Sequence, residues 1–156
     1  MTSPSGGSPS LTIGQAVGQA EASLTRLLAG VLAGRRTSRP TYLALQRLNT
    51  LGGHATRDGY ERDLREWLGL DGPGAKDLAG QLEAAGLTAA DNDTIRLTDP
   101  GRALREGILA EGAKITGPLL AALDAGDVEI TIRTLREITT RARGIPVRRI
   151  TTEESS

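Results

Sequence analysis

Apolar residues recur at intervals of three and four along most of the chain, which is the period of a helix with one buried face. This spacing predicts a first helix over residues 11–34, with an apolar stripe at Ile13, Val17, Ala20, Leu24, Leu27, Leu28 and Val31. A last helix follows the break at "DAGD", with apolar residues at Val128, Ile132, Leu135 and Ile138. The pattern is typical of a mainly α protein.

Three shorter helices are predicted between residues 40 and 86, each bounded by turn or capping residues. The second helix has Pro40 in its first turn and ends at the glycine pair 52–53. The third begins after Thr56, a plausible N-cap, and ends at Leu68. The fourth follows the turn "DGPG" and ends at Gly86, and a fifth begins after Thr98.

The segment between the fourth and fifth helices predicts a short β-hairpin. Its strands are 87–88 and about 94–97, and the residues that join them include Asp91, Asn92 and Asp93, which tolerate tight-turn backbone conformations. A pair of short helices followed by a hairpin is a winged helix-turn-helix. The predicted fold is therefore mainly α: a winged-helix lobe over about 38–98, with a two-stranded wing.

The terminal helices carry apolar stripes that a lobe of this size cannot cover alone. Uncovered stripes usually mark a partner surface, and the simplest partner is a second copy related by a two-fold axis. We therefore expect a homodimer through helices at 11–34 and 99–143, within a single domain over 11–143. Residues 1–10 are small and polar and are expected to be disordered, and 144–156 to form a flexible tail.

Composition excludes several classes of site. The chain has no cysteine and one histidine, so we expect no metal site and no cofactor. No phosphate loop, dinucleotide fingerprint or nucleophile elbow is present, so a non-enzyme is favoured. No apolar run is long enough to span a membrane and no signal peptide is recognisable, which predicts a cytoplasmic protein.

Charge is divided unevenly although the net charge is zero. Residues 52–98 contain five basic and nine acidic side chains, whereas the chain before Gly52 has five arginines and one glutamate. The part of the winged-helix lobe that would contact DNA is therefore the acidic part of the chain. Five side chains remain as candidates to contact DNA: Arg39, Arg57, Lys76, Gln81 and Arg96. Arg35, Arg36 and Arg39 are equally consistent with phosphate contacts and with a solvated loop.

Two motifs, "LEAAGL" (82–87) and "LTDPGRAL" (97–104), resemble those that flank the wing in the MarR family of bacterial transcription regulators. The resemblance covers residues 11–143. It implies a homodimer with two winged-helix lobes, which binds pseudo-palindromic double-stranded DNA. It also implies a small aromatic or phenolic ligand between the lobe and the dimerisation helices, where Tyr42, His54 and Trp67 are the candidate contacts.

Three functions follow from these patterns. The first is a dimeric, ligand-responsive DNA-binding regulator. The second is a winged-helix protein with weakened or lost DNA binding, acting as a small-molecule binder or a cofactor-free enzyme, since the wing is short and its tip is acidic. The third is an adaptor that binds another protein. Trp67 is expected to be a core residue, on the same stripe as Tyr60 and Leu64, and His54 a loop residue.

Overall fold

The computed structural model of the chain describes residues 12–146. Its elements, in chain order, are α1 (Ile13–Gly34), α2 (Arg39–Thr50), β1 (His54–Thr56), α3 (Arg57–Leu68), α4 (Gly72–Ala84), β2 (Thr88–Asp91), β3 (Thr94–Leu97), α5 (Asp99–Ala121) and α6 (Ala125–Arg143). The mainly α, winged-helix prediction is confirmed. The disordered segment predicted for 1–10 lies outside the described residues, as does the tail from 147 onward.

Capping side chains define where the helices begin. Thr12 caps α1 in a reciprocal capping box with Gln15. A hydroxyl or carboxylate oxygen likewise accepts a first-turn amide at the start of α2, α3, α4 and α6, and the residues that supply it are Ser38, Thr56, Asp71 and Asp124. Replacing such a cap by alanine typically costs about 1 kcal/mol, so these local signals specify the helix starts that the sequence predicted.

The sheet has three antiparallel strands in the order β1-β3-β2. His54 pairs with Arg96 on one side of β3, and Thr88 pairs with Leu97 on the other. The predicted hairpin is present as β2 and β3, but His54, which was expected in a loop, lies in a third strand that pairs with β3. Three residues are too short to show a strand alternation, and β1 exists because β3 supplies its hydrogen-bonding partners.

The two motifs that flank the wing are brought together. The Thr98 hydroxyl donates to the Gly86 carbonyl at 2.6 Å, and the Thr98 amide donates to the Leu87 carbonyl at 3.2 Å. Gly101, one turn into α5, lies so close to the Leu87 backbone that a side chain there would overlap it. The spacing of Thr98 and Gly101 is thus required by the packing of α5 on the end of α4.

The winged-helix lobe, defined here as α2 through β3, encloses a continuous core. Its buried members come from α2, α3, α4 and β3: Ala44, Leu45, Leu48, Tyr60, Leu64, Ala75, Leu78, Ala79, Leu82, Ile95 and Leu97. The Tyr60 hydroxyl donates to the Ala44 carbonyl at 2.8 Å, and burial raises the pKa of that hydroxyl. This buried hydroxyl therefore has a hydrogen-bond partner.

A second cluster joins the end of α1 to α2 and α5. It consists of Val31, Leu32, Tyr42 and Ile108. Beside it the Arg35 guanidinium forms an ion pair with Glu111 at 2.6 Å and lies against Gly107, where the missing side chain leaves room for it. These contacts pack the end of α1 against α2 and α5.

The chain divides within α5 into two compact units, one ending at Ile115 and the other beginning at Thr116. In the second unit, α6 has no buried residue, and its apolar side chains at 130, 132, 135 and 138 are all exposed. In the first unit, Ile13, Val17 and Leu24 of α1 are exposed as well. The apolar side chains of α6 at these positions and those in the first half of the α1 stripe are therefore exposed, whereas Val31 at the end of the α1 stripe is buried.

Candidate nucleic-acid interface

Helices α3 and α4 form a helix-turn-helix. The turn between them begins at Gly69, whose left-handed backbone (φ 65°) suits glycine, and ends at the cap Asp71. Helix α4 packs against the core of the lobe through four buried residues: Ala75, Leu78, Ala79 and Leu82. Its opposite face is therefore fixed in orientation and free to contact a partner.

Lys76 and Gln81 are both exposed on α4, and helical geometry places them on the two sides of that outer face, about 140° apart around the helix axis. A glutamine amide can bond both to the acceptor and to the donor of an adenine edge, and a lysine can bond guanine or a phosphate. Gly80 and Ala84, also exposed, are small enough to let a DNA backbone approach closely. Asp77 is an exposed carboxylate beside Lys76 and opposes phosphate contact there.

The wing has an exposed arginine on its outer face and carboxylates at its tip. Arg96 is exposed on β3 directly opposite His54 on β1, so the two side chains lie on the same face of the sheet. A cleft of about 600 Å³ beside the wing is lined by both of these residues, by the tip carboxylates and by Arg102 of α5. Sequence reasoning did not select Arg102, because its place in "LTDPGRAL" was interpreted only as the start of a helix.

Two of the candidate DNA-contacting arginines are already paired with carboxylates. Arg57 lies 3.3 Å from Glu83, and Arg39 lies 3.0 Å from Glu21. Lys76 and Arg96 form no ion pair within residues 12–146. Exposed ion pairs contribute only about 0–1 kcal/mol, so a phosphate can displace either glutamate at small cost.

The three candidate ligand contacts lie in three different places. Tyr42 is buried in the α1–α2–α5 cluster, and burial raises the pKa of its hydroxyl against an opposing effect of Arg105. His54 lies on the outer face of the sheet, and Trp67 near the end of α3. The structure therefore does not assemble these residues into one pocket.

The expectation that Trp67 belongs to the core was wrong. Its side chain is 48% exposed, and the Arg47 guanidinium lies 4.6 Å from the centre of its ring. Arg47 is itself held by Asp63 at 2.8 Å. The reason is helical phase: Leu68, four residues after Leu64, packs against the lobe core, so Trp67 falls at the edge of the buried stripe.

Solved structures of MarR-family regulators share this fold. A ligand-free NadR structure superposes with a TM-score of 0.73 at 19% identity, covering 86% of this chain and 100% of that one. A MarR family protein from Bacillus stearothermophilus gives 0.69 at 21% identity, with coverage of 84% and 93%. A MarR family protein of Mycobacterium tuberculosis, in complex with salicylic acid, gives 0.61 at 21% identity, with coverage of 83% and 99%.

These likenesses establish a winged-helix fold of the MarR type. NadR has also been solved with 4-hydroxyphenylacetate bound. No protein-family model and no curated protein matches the sequence. Among the described helices, none is long and apolar enough to cross a membrane. No cluster of three or more potential metal ligands occurs in residues 12–146.

Proposed function

We propose that this protein is a dimeric, ligand-responsive, DNA-binding transcription regulator of the MarR type. The observation that carries the proposal is the presentation of Lys76 and Gln81 on the outer face of α4, above four buried residues and beside the wing. A recognition helix must be supported rigidly from behind while its outer side chains reach base edges in the major groove. The four buried residues of α4 supply such support, and the exposure of Lys76 and Gln81 is consistent with base contact.

DNA binding of this kind would be strongly dependent on salt. Phosphate contacts would come from Lys76, from Arg57 at the start of α3 and from Arg96 on the wing. The exposed carboxylates of Asp91 and Asp93 would be repelled by the backbone beside the wing. Each phosphate contact contributes about −0.9 to the slope of log affinity against log salt, so a few contacts already give a steep dependence.

Dimerisation is supported by the exposed apolar side chains of α1, α5 and α6. Ile13 of α1, Ile115 of α5 and Ile132 of α6 are each at least 40% exposed in the single chain. A two-fold axis through such surfaces would place two copies of α4 for two half-sites, which is the reason for a pseudo-palindromic operator.

Ligand response is supported by the complexes of the structural neighbours. Salicylic acid has a carboxylate and a hydroxyl on an aromatic ring, and 4-hydroxyphenylacetate has a ring hydroxyl and a carboxylate one methylene away from the ring. We expect the effector of this protein to be a small aromatic or phenolic acid of similar size.

A binding measurement on the DNA upstream of its own gene tests the proposal. We expect the wild type to bind at low salt, and Lys76→Ala to weaken binding by roughly 1–3 kcal/mol. Lys114→Ala is the matched control, because Lys114 is the other lysine of the chain, is exposed, and lies on α5. Equal DNA affinity of Lys76→Ala and the wild type would show that α4 is not the recognition helix.

The second candidate is a small-molecule binder that has lost DNA binding. The acidic wing tip and the pairing of Arg57 with Glu83 favour it. Substitution of both Asp91 and Asp93 by Arg separates the two functions. If the wild type binds no DNA at low salt and this variant gains binding, the wing is a vestige and the second function replaces the first.

A further inference from the structure

Three basic side chains meet on the outer face of the wing, where β1 and β3 lie beside the first turn of α5. His54 and Arg96 are paired residues of β1 and β3, so their Cβ atoms are about 5 Å apart. Arg102 reaches the same place from α5, since one nitrogen of its guanidinium lies 3.6 Å from the position that a Cβ of Gly53 would occupy. All three line the cleft of about 600 Å³ beside the wing. Strand pairing and the packing of α5 thus bring together groups that are far apart in the sequence.

The glycine pair before β1 keeps the space between these groups open. Gly52 and Gly53 have φ 90° and 84°, in the left-handed region that favours glycine. A Cβ on Gly53 would contact the Arg102 guanidinium, and a Cβ on Gly52 would lie 3.9 Å from Cε1 of His54. The room between the histidine ring and the guanidinium therefore exists because no side chain occupies it.

The basic groups of the cleft are weakly engaged. His54 and Arg96 form no ion pair within residues 12–146. Arg102 pairs with Asp99 at 3.1 Å, but the Asp99 side chain is 98% exposed and that of Arg102 is half exposed. An ion pair as exposed as this one is weak. An incoming anion can therefore displace Asp99 at small cost.

The charged groups that line the cleft with His54 cancel while its ring is neutral. Strand β3 and helix α5 supply Arg96 and Arg102, and the wing turn supplies Asp91 and Asp93. No charged residue of α2 or α3 is among the described residues that line the cleft. Two positive and two negative charges sum to zero, so a proton on His54 makes the lining positive.

His54 is also the one side chain of this sequence suited to change charge near neutral pH. Histidine ordinarily gains or loses its proton between about pH 5 and 8, and the other side chain that readily does so when perturbed is cysteine. The chain has one histidine and no cysteine. A dependence of anion binding on pH in this range therefore points to a single residue.

We propose that this part of the wing is a phosphate-binding site whose affinity rises when His54 is protonated. Arg96 and Arg102 bind the phosphate oxygens, and the protonated ring of His54 donates a further hydrogen bond. Because a bound phosphate favours the charged ring, binding takes up a proton, and affinity rises as pH falls.

The source of the phosphate rests on the proposed function, in which it belongs to the DNA backbone. Helix α3 begins beside the wing turn, since the Arg57 amide donates to the Asp93 carbonyl at 2.7 Å. A DNA strand that contacts Arg57 therefore passes close to the cleft. The regulator then binds DNA more tightly at mildly acid pH.

DNA titrations of the full chain at about pH 7.5 and about pH 5.5 test the proposal. We expect the wild type to bind roughly fivefold more tightly at the lower pH, for each lobe that contacts DNA, which is the effect of one exposed charge pair at low salt. His54→Gln is neutral at both pH values and should bind equally at both. His54→Arg is charged at both and should bind equally at both, but more tightly than His54→Gln.

Two matched controls keep the number of histidines or the loss of an arginine constant. Gln19→His combined with His54→Gln moves the histidine to an exposed position of α1 and should be as insensitive to pH as His54→Gln. Arg102→Ala should weaken DNA binding at both pH values, whereas Arg26→Ala, at an exposed arginine of α1, should not. The proposal is overturned if wild-type affinity is the same at both pH values, if His54→Gln keeps the pH dependence, or if Arg102→Ala binds as the wild type does.

A titration with sulfate distinguishes failure of this site from failure of the proposed function. Sulfate has the tetrahedral oxygens of a phosphate, and its charge does not change in this pH range. The ring of the single histidine gives one set of proton NMR signals to follow. If the wild type binds no DNA, a saturable sulfate shift of these signals that Arg96→Ala with Arg102→Ala abolishes would sustain the site and remove the regulator. Absence of both DNA binding and a sulfate shift would overturn the site as well.

Discussion

The winged-helix lobe and helix α6 have the same kind of hydrophobic pattern and opposite burial. In the lobe, Leu45, Leu48 and Leu64 have no exposed surface. In α6, Ile132 and Leu135 follow the same helical spacing and are 46% and 38% exposed. The period of apolar residues thus indicates that a helix has one face to bury, but it does not indicate which surface buries it.

The difference separates two sources of stability. The lobe elements α2, α3, α4 and β3 cover each other within one chain, so the stability of the lobe is independent of protein concentration. A face like that of α6 is covered only by another surface, and a homodimer would make its stability depend on concentration. Four experiments sharpen or break this comparison.

Charging the α6 face should have the largest effect. Ile132→Glu combined with Leu135→Glu places two carboxylates in the expected interface, and we expect dimer affinity to fall by on the order of 5 kcal/mol because each buried unpaired charge is costly. Sedimentation over a range of concentrations measures it. Arg133→Glu, roughly opposite the stripe by helical geometry, is the control and should stay dimeric. A wild type that is monomeric at micromolar concentration would contradict the dimer.

Truncating a side chain in the core of the lobe should have the second-largest effect. Leu45→Ala removes a fully buried side chain and should lower the free energy of unfolding by about 3 kcal/mol. Urea denaturation of the monomeric α6 double variant gives this value without a contribution from assembly. In the same background, Ile138→Ala should change stability by less than about 0.5 kcal/mol, because its side chain is already exposed. Equal decreases in the free energy of unfolding for Leu45→Ala and Ile138→Ala would contradict the difference in burial between the lobe and α6.

Removing the buried hydroxyl should cost less. Tyr60→Phe removes the hydrogen bond from the buried hydroxyl to the Ala44 carbonyl and should destabilise the lobe by about 1 kcal/mol at neutral pH. The folded-state pKa of Tyr60 lies above its ordinary value of 10.0, so the wild type loses the stability that Tyr60 contributes as pH rises past 10, whereas the phenylalanine variant lacks this contribution throughout. The deficit of the variant should therefore shrink above pH 10, and a constant deficit would contradict the assignment.

Loosening the end of α1 should have the smallest effect. Arg35 lowers the pKa of Glu111, so the contribution of this pair is present above the ordinary carboxyl pKa and is lost as pH falls through the folded-state value. Glu111→Gln should reduce stability slightly at neutral pH and flatten the acid side of the stability curve. Thermal melts of both proteins at several pH values measure this difference. If the melting temperatures of the two proteins fall identically at acid pH, the Arg35–Glu111 pair does not contribute to stability.

Local signals made most of the secondary structure predictable. Thr56 and Asp71 begin helices because their side chains accept first-turn amides, and Gly86 ends a helix because it adopts φ 71° without a steric cost. Strand β1 was not predictable in this way. Its three residues lie about forty positions before the strand that pairs with them, and no local pattern encodes that pairing.

The exposure of the candidate DNA-contacting residues on α4 was predictable from the sequence, but the charge partners of the candidate arginines were not. Lys76 and Gln81 lie off the apolar stripe of α4, so their exposure follows from helical phase alone. The pairing of Arg57 with Glu83 joins α3 to α4, and the contact of Arg47 with Trp67 joins α2 to α3. Such partners depend on how helices pack, which the spacing within one helix does not specify.

The sequence by itself determined that this is a mainly helical, winged-helix chain with apolar faces at both ends, because helical period and capping chemistry act within a few residues. Only the tertiary structure decided which charged side chains form ion pairs within the chain and which have none. Arg35 and Arg36 are adjacent and chemically identical, yet one is tied to Glu111 and the other, held in a left-handed turn, lines a cleft. That distinction arises because α5 passes beside one guanidinium and not the other.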